Sequence, residues 1–297
     1  MLTNIKSKAR YFLASRFTKL RRFFDYRFNA FWFDYPFGKQ QWASREEYLQ
    51  LAKEVRFNKY SQIDEYEQQI GFAIDQEWLH NLALHTQVVV KDSPLCYAHG
   101  RVLYSALSNY LKYHPHASPS KMVTIWETGT ARGFSALCMA RALKDQQRFG
   151  TIVTFDVLPH RTPMYWNCID DWDGPKTRAE LLRPWKDLVQ NYVLFNQGDT
   201  RLELPKIQAE RIHFAFLDGA HTYEDVIFEF EQIHERQLPG DTIVYDDYTP
   251  QQFPGLVKAV DLICKEYRYK RKDLQAYSGR GYVVAEKICK PTQVEGM

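Results

Sequence analysis

From residue 122 onward the chain alternates short β-rich runs with helical stretches, and no other feature narrows its fold so far. The runs are residues 122–126, 151–155, 192–196, 212–217 and 242–245. Residues 135–143 and 223–235 carry apolar side chains at helical spacing, and in the second stretch Tyr223, Val226, Ile227, Phe230 and Ile233 share one face. Such alternation predicts a doubly wound α/β domain, a mostly parallel sheet with helices on both sides. Ligands of such a sheet bind outside the carboxyl ends of its strands.

The first 90 residues read differently, as a helical, basic and aromatic extension of a domain that spans 91–290. Residues 44–86 look helical, with Ser44 and Glu47 in capping-box spacing. A turn at Ser93-Pro94 precedes a helical segment at 100–113, where Val102, Leu103, Leu107, Tyr110 and Leu111 share a face, and residues 114–120 form a loop. Between residues 1 and 30 eight basic residues face the single acid Asp25, and Leu2, Ile5, Ala9, Phe12, Leu13, Phe17, Leu20 and Phe24 recur at helical spacing. An amphipathic helix of this kind has two destinations: an anionic membrane surface, reached through residues 1–27 in peripheral contact, or packing on the body of the protein or on a second copy in a homo-oligomer.

Charge and cysteine usage bound the rest. A net charge of +3 gives no argument for nucleic acid. Five scattered cysteines without a C-x-x-C pair fit neither a disulfide framework nor a zinc site, and suit a reducing cytoplasm. No apolar run approaches the roughly 18 residues of a membrane span, and the basic start lacks the apolar core of a secretory signal. The expectation is a soluble cytoplasmic protein, with the membrane surface as a peripheral site.

The first β-run leads into W-E-T-G-T-A-R-G-F-S at residues 126–135. Gly129 and Gly133 lack a Cβ that would collide with a cofactor at the first strand-to-helix turn. The spacing is G-x-x-x-G, not the G-x-G-x-x-G that brings a pyrophosphate to a helix N-terminus, and this speaks against a nicotinamide dinucleotide. Glu127 points the same way, since a carboxylate there repels a pyrophosphate but suits a cationic amino group or a hydroxyl. S-adenosylmethionine carries that amino group. Asp156, closing the second run, can accept both hydroxyls of a ribose.

E-T-G-T-A-R-G-F-S, then Phe155-Asp156, L-D-G-A-H-T-Y-E-D at 217–225 and V-Y-D-D-Y at 244–248 resemble class I S-adenosylmethionine-dependent methyltransferases. The likeness is greatest to the branch containing macrocin O-methyltransferase and the cephalosporin-hydroxylase-like proteins, and it covers about residues 100–287. The resemblance implies a Rossmann-like, seven-stranded sheet whose final hairpin, around 267–287, includes one antiparallel strand. It also implies that Gly198-Asp199-Thr200 lies near the adenine, with Asp199 accepting from the exocyclic amine. Ser135 and Thr200 complete the expected cofactor set of Glu127, Gly129, Gly133, Asp156 and Asp199.

Asp218 ends the fourth run and Asp246 and Asp247 end the fifth, so three carboxylates share the ligand face of the sheet. Left unpaired they repel, and a cation keeps them ionised. Oxygen-only ligation favours magnesium, manganese or calcium, and the expected cofactor is Mg2+. The resembled family includes metal-dependent O-methyltransferases with acids at these positions; helix capping by Asp218 and turn support by Asp247 are the alternative. His221, three residues after Asp218, is the candidate general base.

The long insertion 158–191 contains Trp166, Asn167, Asp170, Asp171 and Trp172, aromatic faces and acceptors suited to a sugar ring; fastening the insertion to the domain is their other use. Together these features predict a metal-assisted O-methyltransferase acting on a hydroxyl of a sugar, glycan or glycosylated metabolite. The alternative is a non-catalytic glycan- or membrane-associated binding protein that keeps the same fold.

Overall fold

The computed structural model describes residue 37 and residues 40–114, 121–276 and 279–289. The basic segment 1–27 and most of the loop 114–120 lie outside the described residues.

Four helices precede the sheet among the described residues. Helix α1 (Arg45–Arg56) begins at the capping box legible in the sequence: the Glu47 amide donates to Ser44 Oγ at 3.2 Å and the Ser44 amide to the Glu47 carboxylate at 2.6 Å. Helix α2 (Ser61–Ile70) stops at Gly71, whose φ of 77° is the left-handed conformation that ends helices. Helix α3 (Gln76–Thr86) is capped by Asp75. A fourth helix, α4 (His99–Tyr113), buries the five apolar residues whose spacing predicts it.

The sheet contains β1 (Val123–Thr128), β2 (Gly150–Asp156), β3 (Val193–Gln197), β4 (Phe214–Leu217), β5 (Thr242–Tyr245), β6 (Tyr269–Gln275) and β7 (Gly281–Lys287). Their order is β3-β2-β1-β4-β5-β7-β6, with β1 to β5 parallel and β7 antiparallel to both its neighbours. This is the expected doubly wound, seven-stranded sheet with an antiparallel final hairpin. Its helices are α5 (Phe134–Asp145), α6 (Arg178–Leu181), α7 (Lys186–Tyr192), α8 (Thr200–Glu203), α9 (Tyr223–His234) and α10 (Pro254–Glu266).

Alternation along each strand builds two cores. Val123, Ile125, Phe214, Phe216 and Val244 face one way and join the packing of α1 to α5, whereas Trp126, Ala215, Leu217, Ile243 and Tyr245 face α9 and α10. Burial on both sides explains why the central strands read as near-continuous apolar runs. Each fully buried large apolar side chain contributes about 1.5 to 3 kcal/mol. Strand order reverses between β1 and β4, the place where doubly wound sheets open a ligand crevice.

Candidate active site

At that reversal β1 runs beside β2 with Thr128 opposite Phe155, and beside β4 with Thr128 opposite Leu217. The turn after β1, Asp156 and Asp218 therefore converge. A cavity of about 460 Å³ opens there, lined by Gly129, Ala131, Asp156, Asp199, Thr200 and Asp218 among others.

The two glycines answer to the chain itself. A Cβ on Gly129 would lie 2.2 Å from the Asp218 carbonyl oxygen, and its φ is 89°. Gly133, with φ 90°, is the N-cap of α5, and a Cβ there would meet Leu182 at 2.9 Å. Close approach of neighbouring chain and left-handed backbone already demand glycine at both positions, and Gly129 also lines the cavity. Glu127 and Ser135 lie beneath the turn and do not line the cavity. Ser135 Oγ donates to Glu127 Oε1, Oε2 has no partner, and burial pushes the carboxyl up to about 7.

Asp156 spans the turn. Its Oδ2 accepts from the Ala131 amide at 2.5 Å and its Oδ1 from the Leu158 amide at 2.7 Å, which fixes the carboxylate at the cavity wall. Asp199 is the N-cap of α8, with Oδ1 accepting from the Arg201 amide at 2.9 Å, and it lines the cavity with Thr200.

The acidic cluster departs from its expected charge balance. His221 Nε2 lies 3.5 Å from Asp218 Oδ1 and 3.1 Å from Asp247 Oδ2, contacts of charge rather than aligned hydrogen bonds, and its ring stacks on Phe253 at 4.3 Å. Burial alone would lower the imidazole pKa, but the two carboxylates prevail and raise it to about 10. Burial, with the neighbouring Asp246 charge, raises Asp218 to about 7. Two acids thus draw His221 toward its protonated form, and a cation held here would have to displace that proton.

Asp246 belongs to another pair. It is fully buried, its Oδ2 accepts from Arg280 Nη2 at 2.6 Å, and its Oδ1 accepts from Arg280 Nε at 3.1 Å and the Asp247 amide at 2.7 Å. Burial pushes its carboxyl up, but the Arg280 charge outweighs this and holds it below the usual range. Arg280 Nε also reaches Asp247 Oδ1 at 3.0 Å. The premise of three carboxylates without a cation is therefore corrected, because Arg280 and His221 supply the countercharge. Asp218, His221 and Asp247 still offer one ligand atom each, all within 4.8 Å of one another. That donor set fits a divalent cation, but with an imidazole in it the oxygen-only case for magnesium no longer applies.

The insertion is turned inward. Trp166 is fully buried and donates its Nε1 to the Lys176 carbonyl at 2.7 Å. Asn167, equally buried, pairs with both the amide and the carbonyl of Val90, at 3.0 and 2.8 Å, and accepts from Tyr48 Oη at 3.0 Å. Asp171 accepts from the Trp166 amide at 2.8 Å, and Asp170 lies 2.6 Å from His85 Nδ1. Of these four, read as sugar contacts or as fastenings, Asn167 and Asp170 tie the insertion to the N-terminal part of the chain, and Trp166 and Asp171 bond within the insertion. Trp172 alone of the five is exposed, with the Arg45 guanidinium 5.6 Å from its ring.

Arg280 and Arg178 escaped sequence reasoning. Arg280 had a signal: the last strand pairs antiparallel with the fifth, Tyr245 opposite Val283, which brings the residue before that strand to the Asp246-Asp247 pair. Arg178, in an insertion without a periodic pattern, had none. No helix among the described residues is long and apolar enough to cross a membrane.

A family model described as a methyltransferase domain matches residues 126–248. No curated protein matches the sequence. Among solved structures, the fold is similar to cofactor-bound Rv0187 from MTB, at 15% identity and TM-score 0.50, covering 72% of this chain and 90% of that one. Two further similarities are to the O-methyltransferase TomG from Streptomyces achromogenes in complex with SAM and to a putative O-methyltransferase from Klebsiella pneumoniae. The first has 15% identity, TM-score 0.49 and coverage of 73% and 92%; the second has 16% identity, TM-score 0.47 and coverage of 82% and 97%.

Proposed function

We propose that this chain, which carries a class I S-adenosylmethionine-dependent methyltransferase domain, is an O-methyltransferase acting on a hydroxyl of a sugar, glycan or glycosylated metabolite. One observation carries the reading. The cavity that holds Gly129, Asp156, Asp199 and Thr200 has Asp218 in its wall, and Asp218 is also a member of the Asp218-His221-Asp247 cluster. A methyl donor and a hydroxyl approaching that cluster would meet at one carboxylate, as transfer between bound groups requires. The acceptor class rests on the likeness of the 217–225 and 244–248 motifs to the macrocin O-methyltransferase branch.

S-adenosylmethionine, when bound, supplies a methyl group on a sulfonium sulfur, and a divalent ion on the cluster would lower the pKa of an acceptor hydroxyl. The chain's own residues bind and orient. Asp156 would accept from the ribose hydroxyls, and Asp199 and Thr200 would border the adenine, with the Ala131 turn in the same wall. Asp218 accepts the acceptor's proton, and His221 holds Asp218 and Asp247 in place against their mutual repulsion. Asp218, His221 and Asp247 are the residues that would hold an ion; Asp246, committed to Arg280, is not.

The test is methyl transfer from labelled S-adenosylmethionine to a panel of nucleotide sugars, glycans and glycosylated metabolites, with and without a chelator. Labelled product with a methyl ether on a sugar hydroxyl is expected. Tight S-adenosylhomocysteine binding without transfer to any of them would favour the non-catalytic binding protein. Full turnover in chelator would reject the metal while leaving the transferase reading in place.

A further inference from the structure

The insertion between β2 and β3 is joined to the rest of the domain at the very turn that forms the cofactor cavity. Two arginines make that joint reciprocally. Arg132, in the glycine turn, donates Nε to the Trp166 carbonyl of the insertion at 2.6 Å, and Arg178, in the insertion, donates Nε to the Ala131 carbonyl of the turn at 2.9 Å. Arg178 is 1% exposed, with its guanidinium 5.6 Å from the ring centres of both Trp166 and Phe195. Its Nη2 has no hydrogen-bond partner and stands 3.8 Å from Asp156 Oδ2.

A guanidinium is costly to bury unless its charge is matched, and the carboxylates facing this one are Asp156 and Glu127. Asp156 needs the match as much. Burial pushes its carboxyl up, whereas Arg178 and the amides of Leu158, Ala131 and Val157 pull it down. Glu127, on β1, adds like charge from the other side, and His160 lies beyond Arg178. Without the guanidinium, the balance at Asp156 moves further toward the neutral carboxyl, which has less capacity to accept two hydroxyl hydrogen bonds.

We propose that Arg178 is a positioning residue of the cofactor site, reaching from the insertion to hold the Asp156 carboxylate and the Ala131 turn in the arrangement that receives the ribose. The inference rests on the S-adenosylmethionine site proposed above. It also gives the insertion a task at the cavity wall, where it holds the Ala131 turn and faces Asp156.

Calorimetric titration of S-adenosylhomocysteine into the full chain tests this, with wild type, Arg178→Met, Arg178→Lys, Asp156→Asn and Arg178→Met/Asp156→Asn compared from about pH 6 to about pH 9. Arg178→Met is expected to weaken binding roughly 10- to 100-fold at neutral pH. Its deficit relative to wild type should shrink as pH rises and Asp156 ionises, and the double variant, in which Glu127 alone faces the lost charge, reads out the share of that change that belongs to Glu127. Arg178→Lys, which keeps the charge and should fold, recovers most of the affinity, and the double variant is far from additive. Wild-type affinity in Arg178→Met, or a loss that is constant with pH and additive with Asp156→Asn, overturns the inference. Wild-type protein without affinity for S-adenosylhomocysteine overturns the proposed function itself and this inference with it.

Discussion

The cavity and the charged cluster that meets it at Asp218 were built under different rules. On the β1–β3 side, Asp156 accepts from the amides of Ala131 and Leu158, Asp199 accepts from the amide of Arg201, and a single guanidinium, Arg178, faces Asp156. On the β4, β5 and β7 side, Asp218, Asp246, Asp247 and His221 form a charge cluster whose balance depends on Arg280, over thirty residues further along the chain. A site held by backbone can be read from its motif, whereas a site held by charge waits for every charge to be located. The two sides should therefore fail differently when perturbed.

The largest effect belongs to the charged side. Asp218→Asn or His221→Ala should lower turnover by about 10²- to 10⁴-fold while S-adenosylhomocysteine affinity changes little, read from single-turnover rates beside binding isotherms. Equal losses in both quantities would merge the two halves into one.

Next comes Arg280→Met, which strands the buried Asp246 carboxylate. A loss of about 3 kcal/mol in chemical denaturation is expected, at the low end for a buried pair because Arg280 retains 20% side-chain exposure. Arg280→Met/Asp246→Asn should recover part of it, since the stranded charge is then gone. Were Asp246 a metal ligand instead, Asp246→Asn alone would weaken binding of manganese or magnesium; metal affinity unchanged by that substitution is expected.

On the backbone side, Gly129→Ala should cost about 3 kcal/mol, because its Cβ meets a carbonyl oxygen at 2.2 Å and its φ is positive. Gly71→Ala is the control: its φ is 77°, nothing lies within 4 Å of an added Cβ, and a cost near 1 kcal/mol is expected. Equal melting temperatures for the two variants would refute the close-approach account.

The smallest effect is a pH dependence far from the cavity. His213 Nδ1 accepts the Thr124 amide at 3.0 Å, so the ring is neutral, and burial lowers its pKa to about 4. The unfolded chain takes up that proton near the ordinary value of about 6.5, so the contribution is complete above that pH and is lost as pH falls toward 4. Between pH 7 and pH 5 the difference in stability between wild type and His213→Gln should fall by about 2 kcal/mol. A difference constant with pH would mean that the ring titrates alike in the folded and the unfolded chain and that burial does not depress it.

What the sequence made legible follows the same division. Strand runs, the Ser44 capping box and the Gly129 turn were plain because alternation, capping and positive φ are local properties. Asp156 was legible as the end of the second strand. The Asp246-Arg280 pair was not, since antiparallel pairing of β7 on β5 had first to be fixed before Arg280 could be placed. Trp166, Asn167 and Asp171 misled for a related reason: a tryptophan beside amides and acids has the same composition whether it faces a ligand or, as here, bonds to Val90, Tyr48 and Lys176. Residues 1–27, read as an amphipathic helix, lie outside the described residues.

The central claim is that a class I methyl-donor site and a proton-accepting cluster share Asp218, and one titration series reaches it most directly. S-adenosylhomocysteine is titrated into wild type, Asp156→Ala and Asp218→Asn, and the same proteins are then assayed for methyl transfer to the best acceptor found. The account predicts saturable binding to wild type, severe loss in Asp156→Ala, near-normal binding in Asp218→Asn, and no transfer by Asp218→Asn. Undiminished transfer by Asp218→Asn, or a wild type that binds a nicotinamide dinucleotide and not S-adenosylhomocysteine, would contradict it.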